Sequence, residues 1–407
     1  MTESSPASGG ASPSLGAFLW SLSLAQLVSW GILFYSFAVF VVPMEDELGW
    51  SKTALNSSLT LGLIVSGLLA PLVGAQIDRG YAWPLMSLGS VLGSLAMVAW
   101  SFVDAPWAFL LIWVALGVAM SCTFYEPGFA VLARTLGDDA PRAILKMTLV
   151  GGLASTAFIP LAHLLVQLLG WRHAVLTLAL VNLIIAGGIH AVMLRPARMP
   201  APSLRKPGDS GIADVSTRKA IADPRFWTLL LSFAAYNLAS TAMIFHFLPL
   251  LDERGLSRDI GVALFTVVGP LQVAGRLLLF TGGNLIAARR VGRIALTVSV
   301  PLFVLAALAG TNLVLLTVFV AIYGMINGIL TVVRGTIVRD LFGARNYGTI
   351  SGSLTLPTTF ARAAGPACGA LLWSMSTAYE PMLLVLALIC LIGAAAYWFA
   401  TRLAPSP

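Results

Sequence analysis

The chain has 407 residues, 58% of them hydrophobic and only 10% charged, with a formal net charge of +7. A soluble domain carries about 25% charged residues, so composition excludes a soluble globular protein. The basic excess is not a nucleic-acid signature either, because the charges punctuate apolar runs and form no stripe on a polar fold.

Residues 1–14 are polar, contain no Lys or Arg, and read as a disordered tail. Twelve apolar segments follow, at about 15–43, 53–77, 83–103, 107–133, 145–169, 173–194, 226–250, 260–284, 292–310, 313–338, 347–373 and 380–401. Each approaches or exceeds the roughly 20 residues that cross a bilayer as a helix. The first is too long for a signal-peptide core and has no basic stretch before it. Cys122, Cys368 and Cys390 all fall inside apolar runs and read as small buried hydrophobes. Trp50, Trp83, Trp107, Trp171, Trp227 and Trp398 sit near span ends, where tryptophan anchors a helix at the interface.

The one long polar stretch is 195–225, with Pro196, Pro200, Pro202, Pro207 and seven Lys/Arg. It reads as a linker between two six-segment halves, 15–194 and 226–402. With twelve spans, both termini and the linker share one side. That side holds 17 Lys/Arg and the other 4, which makes it cytoplasmic.

The halves repeat. Pro43, Asp46, Glu47, Gly49 and Ser51 recur as Pro249, Asp252, Glu253, Gly255 and Ser257, at a constant offset of 206 residues. Arg134-Thr135-Leu136-Gly137 after segment four is echoed by Arg339-Asp340-Leu341-Phe342-Gly343 after segment ten. Two similar bundles in parallel are the plan of a secondary transporter. Between segments two and three stands Gly74-Ala-Gln-Ile-Asp78-Arg79-Gly80.

On this motif and repeat the chain resembles the major facilitator superfamily over nearly its whole length after residue 14. The family's turn after helix two is G-x-x-x-D-[RK]-x-G-[RK]-[RK]; Gly74, Asp78 and Arg79 match it, whereas Ala82 and Trp83 stand where the basic pair would be. The resemblance implies an all-α membrane protein of twelve transmembrane helices in two six-helix bundles, related by a pseudo-two-fold axis along the membrane normal. It further implies alternating access, with helices 1, 4, 7 and 10 lining a central cavity. Gly74, Asp78, Arg79 and Arg134 are then gating residues, and Asp78→Asn should slow state exchange more than it weakens binding.

Four charges lie inside apolar segments: Glu126, Arg276, Arg334 and Arg362. Each costs at least about 2.5 kcal/mol in lipid, so they should face a cavity or each other. Glu126, beside Pro127 and Gly128, is the candidate proton-coupling carboxylate. Arg334 lies at similar depth in the repeat-related helix and can meet Glu126 across the cavity. Arg276 offers a planar fork for a carboxylate. In this region the chain resembles the monocarboxylate and oxalate/formate-type carriers, whose helix-eight arginine binds the substrate carboxylate; Gln272 departs from their preceding aspartate, and no base stands near Phe37 in place of their helix-one lysine. Arg362 precedes a Gly365-Pro366 helix-packing run and is a further candidate to face the cavity. Tyr35, Tyr125 and Asn237 are further substrate-contact candidates, and Tyr236 and Asn327 weaker ones. His163 and His246 are further proton-relay candidates, although a lone membrane histidine more often bonds a neighbouring helix.

Three positives against one negative favour an anionic substrate. The expected protein is a non-enzymatic, monomeric carrier in an inner or plasma membrane. It moves a small organic anion with protons, and has no cofactor, metal or nucleic-acid partner. No G-x-x-x-x-G-K-[ST] loop is present to bind a nucleotide, so gradients would drive it. Efflux of toxic compounds is the alternative within transport; a membrane sensor is the distant one.

Overall fold

A computed structural model describes residues 14–199, 214–281 and 288–402. Ser14 apart, the expected tail lies outside the described residues, as does the middle of the linker. The described residues are helical almost throughout. α1 (Leu15–Leu48) passes through a π-turn at Gly31–Tyr35, where the Ser36 N–H reaches the Gly31 carbonyl. α2 is Lys52–Asp78 and α3 Ala82–Ser101. α4 comes in two pieces, Pro106–Thr123 and Tyr125–Leu136, separated by the extended residue Phe124.

α5 begins at Ala140–Gly151 and resumes at Ala154. It ends at Gly170, whose φ of 74° breaks the helix, and α6 runs on to Met193. After the linker come α7 (Pro224–Glu253), α8 (Arg258–Thr266 and Val268–Thr281) and α9 (Ala288–Leu308). The last three are α10 (Leu313–Phe342), α11 (Tyr347–Ser376) and α12 (Tyr379–Arg402).

Among the described residues nine runs are long and apolar enough to cross a membrane. One of them, Pro106–Met193, folds back twice and contains α4, α5 and α6. α11 is left out because Arg362 and its Ser, Thr and Gly residues dilute its hydropathy. Twelve helices in two bundles result.

The repeat has a mechanical meaning. Gly49 (φ 68°) and Gly255 (φ 75°) both take the left-handed conformation that ends α1 and α7. Ser51 and Ser257 then cap the next helices, accepting from the N–H of Ala54 and Ile260. Glu47 and Glu253 each accept an indole N–H, from Trp171 at 2.6 Å and Trp373 at 2.8 Å. The matched residues are thus one helix stop, one helix start and one tie to a neighbouring helix, made twice.

Buried side chains form two clusters. One is confined to the first half, around Phe37, Phe40, Trp100, Phe109 and Trp113, on the side away from the linker. The larger runs from the linker ends of the first half (Phe18, Ile77, Phe129, Ile144) into the second half (Phe233, Phe303, Tyr347). The halves therefore share a core only on the linker side. Their mutual polar contacts follow suit: among the described residues, hydrogen bonds between the two bundles join Asp78, Glu126, Asp138 and Thr148 to Thr349, Arg334, Arg339 and Arg276.

Candidate substrate cavity and gate

The break in α4 shapes the interior. Phe124 leaves helical geometry, and Gln26 of α1, almost wholly buried, donates to the carbonyls of Thr123 (2.8 Å) and Phe124 (3.0 Å). A new helix starts at Tyr125, so Glu126 lies in its first turn, where the helix dipole favours a carboxylate. Pro127 falls in that same turn, where its missing N–H costs nothing. The helix therefore breaks at Phe124 and restarts cleanly at Tyr125, ahead of Pro127 and Gly128.

Arg334 of α10 donates through Nη2 to Glu126 Oε1 at 2.8 Å and to Thr355 Oγ1 of α11 at 2.7 Å. The side chains are 22% and 29% exposed, so the pair is screened from bulk water without being sealed. It bridges the two halves.

Arg362, mid-way along α11, is exposed, although it lies inside the bundle within electrostatic reach of Glu126, Arg334, Tyr35 and Tyr323. Arg362 is thus open to solvent while charged and aromatic groups of other helices lie around it. Its Nη2 donates to Asn237 Oδ1 at 3.1 Å, and Asn237 is held by its own bond to the Phe233 carbonyl. Beside it, Ser240 joins Tyr323 (2.8 Å) and Asn327 (3.0 Å) in one polar cluster. In the first half, Trp30 stacks on Phe124 at 4.0 Å, and Tyr125 on Phe129 at 5.2 Å. Tyr35 lies within electrostatic reach of both Arg276 and Arg362.

Arg276 is placed differently from the cavity-lining position expected of it. It is 4% exposed and lies between the halves, donating to the carbonyls of Thr148 (2.9 Å) in α5 and Gly328 (3.4 Å) in α10. Its guanidinium occupies the space where a side chain on Gly152 would begin. No carboxylate pairs with it among the described residues. Tyr236 is buried, with its hydroxyl near Ser240.

The two histidines stand apart from this group. His246 donates from Nε2 to the Pro366 carbonyl at 3.0 Å, tying α7 to α11, and its Nδ1 lies 3.4 Å from the Tyr379 hydroxyl. His163 is exposed and paired with Gln167 one turn away at 3.0 Å.

At the linker end, Asp78 caps the start of α11. Its carboxylate accepts from the N–H groups of Gly348 (2.9 Å) and Thr349 (2.7 Å) and from the Thr349 hydroxyl (2.6 Å). The cap of one half's helix thus comes from the other half. Arg134 binds the Asp78 main-chain carbonyl and not the carboxylate. Gly80, at φ 99°, closes the turn in a conformation that side chains resist, which explains a glycine at this place. Arg79 is exposed, and its side chain makes no hydrogen bond among the described residues. Asp138 and Arg339 add a second tie at 2.9 Å.

Asp78→Asn keeps one acceptor oxygen but turns an amide toward N–H donors. Lost capping of this kind costs about 0.5–2 kcal/mol, so the closed gate should weaken several-fold. Solute counterflow should slow while equilibrium binding stays within about twofold.

The Major Facilitator Superfamily profile matches residues 19–309. The chain belongs to this superfamily. Relatives include monocarboxylate transporter 4 of Rattus norvegicus, 24% identical over 354 residues, covering 83% of this chain and 72% of that protein. The oxalate:formate antiporter of Oxalobacter formigenes is 23% identical over 232 residues, 56% of this chain and 53% of that one. Among solved structures, the E. coli fucose:proton symporter FucP superposes with a TM-score of 0.72 at 13% identity, covering 95% and 98% of the two chains. The human organic anion transporter MFSD10 gives 0.69 at 18% identity, covering 94% and 98%. At such identities these structures establish the superfamily fold and nothing finer.

Sequence reasoning missed the partners more than the principals. Gln26 was detectable as an amide within an apolar run. Thr355, Gly348 and Thr349 carried no signal, since Thr and Gly are common in membrane helices.

Proposed function

We propose that this superfamily member is a secondary carrier of small organic anions coupled to protons. The observation that carries this reading is the interior charge balance. Among the described residues Arg334 pairs with Glu126, whereas Arg362 bonds the Asn237 amide and Arg276 bonds carbonyls, neither with a carboxylate partner. An unbalanced guanidinium at an open, water-accessible surface inside the bundle favours an anion, and its planar fork suits a carboxylate. Names among the relatives, a monocarboxylate transporter and an oxalate:formate antiporter, agree with that class.

In this account Arg362, with Asn237, Tyr35 and Tyr125, receives the anion. Glu126 exchanges its bond to Arg334 for a proton, which lets the halves 15–194 and 226–402 rock apart on the linker side. Arg276 is released from Thr148 in the same movement and becomes available to the anion. Seventeen of the Lys/Arg fall on the linker side. That bias supports a cytoplasmic linker and cytoplasmic termini in an inner or plasma membrane, with the described state closed inward and open outward. The carrier works as a monomer.

Proteoliposome uptake of radiolabelled formate, acetate and pyruvate tests this. An imposed inward proton gradient should accelerate uptake of at least one of them, and Glu126→Gln should make the flux indifferent to the gradient. Gradient-dependent flux that survives Glu126→Gln unchanged refutes the coupling role.

A further inference from the structure

α9 and α12 meet at the linker side in an arrangement that transport does not use. Arg290, Arg293 and Thr297 share one face of α9, at helical spacing. Trp398 and Arg402 stand one turn apart on α12. The Trp398 indole donates to Thr297 Oγ1 at 3.0 Å, which fixes the ring. Two guanidinium groups then share that ring: Arg293 lies 4.7 Å from its centroid and Arg402 lies 5.1 Å away. Arg293 spends its Nε on Thr401 Oγ1 at 2.8 Å, while its two terminal nitrogens have no protein acceptor among the described residues. Arg290 and Arg402 are exposed.

Two cations held against one ring repel each other. The nearby acid, Asp340, is within electrostatic reach of Arg289 and Arg339, so it is already balanced. Along the same two helices, toward the membrane, Ile294, Val298, Ile392 and Phe399 are exposed. A basic cluster above an outward-facing apolar strip matches a molecule with an anionic head and hydrocarbon tails.

We propose that Arg290, Arg293 and Arg402, braced by Trp398, form a site for the phosphate of an anionic phospholipid in the linker-side leaflet. The Arg293 fork and the Arg402 guanidinium take the phosphate oxygens, and the acyl chains lie along Ile294, Val298, Ile392 and Phe399. Clustered arginines at a membrane helix end attract anionic headgroups through charge, while the tails supply what a free ion lacks.

Native mass spectrometry of the delipidated carrier, titrated with phosphatidylglycerol and phosphatidylcholine of identical acyl chains, tests this. Phosphatidylglycerol should bind more tightly, and Arg293→Gln/Arg402→Gln should remove the preference with at least a tenfold loss of affinity, on the order expected for two surface arginines. Arg293→Lys/Arg402→Lys should keep most of it, and Trp398→Phe should loosen it. Should the double glutamine variant fail to fold, Arg402→Gln alone, at an exposed position, should still weaken phosphatidylglycerol several-fold. Millimolar inorganic phosphate should not displace the lipid. The proposal is overturned by equal binding of the two lipids, by a preference that survives the glutamine variants, or by displacement with inorganic phosphate alone.

Discussion

Arg334→Gln should reduce transport by more than about tenfold, and the loss should be partly repaired by adding Glu126→Gln. The single substitution leaves Glu126 inside the bundle facing a neutral amide and a threonine. Removing one partner of a buried pair costs about 3–5 kcal/mol. The Glu126–Arg334 pair is about a quarter exposed, so the low end applies. Even 1.4 kcal/mol is a tenfold shift in the equilibrium between states. The double variant replaces a stranded charge by two neutral amides of similar shape, which removes the penalty but not the loss of coupling. The double-mutant cycle on initial uptake rates should therefore show strong non-additivity. If the two losses simply add, the pair is not a functional unit.

Gly74→Val should hold the linker-side gate open. The Gly74 position is so close to Gly348 of α11 that any Cβ would collide with the Gly348 carbonyl, and a Cβ on Gly348 would in turn meet the Gly74 carbonyl at 2.5 Å. Both neighbours are backbone, so neither yields by a rotamer change. Overpacking costs about 1–3 kcal/mol, which corresponds to a 5- to 150-fold change in the closed-to-open ratio. A cysteine placed at Ser353, one turn beyond Thr349 in α11, should become labelled by a membrane-impermeant thiol reagent added from the linker side. Uptake should fall while the melting temperature in detergent changes little. Unaltered labelling and uptake would mean that α2 and α11 do not need this close approach.

How much of this was legible in the sequence depends on the range of the interaction. The helices were, because each carries its own hydropathy and its own stops. Gly49 with Ser51, and Gly255 with Ser257, write the same helix end and start twice, and the structure uses them that way. Glu126, Arg276, Arg334 and Arg362 stood out because a charge inside an apolar run is costly wherever it points. Where each charge points was not legible. Arg276 and Thr148 are 128 positions apart, and nothing local distinguishes an arginine that lines a cavity from one wedged between bundles. The hydrogen bonds of Asp78 to Gly348 and Thr349 cross 270 and 271 positions, so nothing local announces them. The Phe124 break also escaped, since the residue that departs from the helix is an ordinary aromatic and the proline comes three positions later.

The positive charge at Arg362, which has no carboxylate partner among the described residues, should select an anion. Thermal unfolding of the purified carrier with matched pairs of ligands, a carboxylate and its amide (acetate with acetamide, benzoate with benzamide), measures this without any assumption about direction or coupling. A ligand at one hundred times its Kd stabilises by about 2.7 kcal/mol, enough to register as a clear rise in Tm. At least one carboxylate should raise Tm, its amide should not, and Arg362→Gln should abolish the difference. Equal stabilisation by carboxylate and amide, or a carboxylate effect that Arg362→Gln leaves intact, would contradict anion selection.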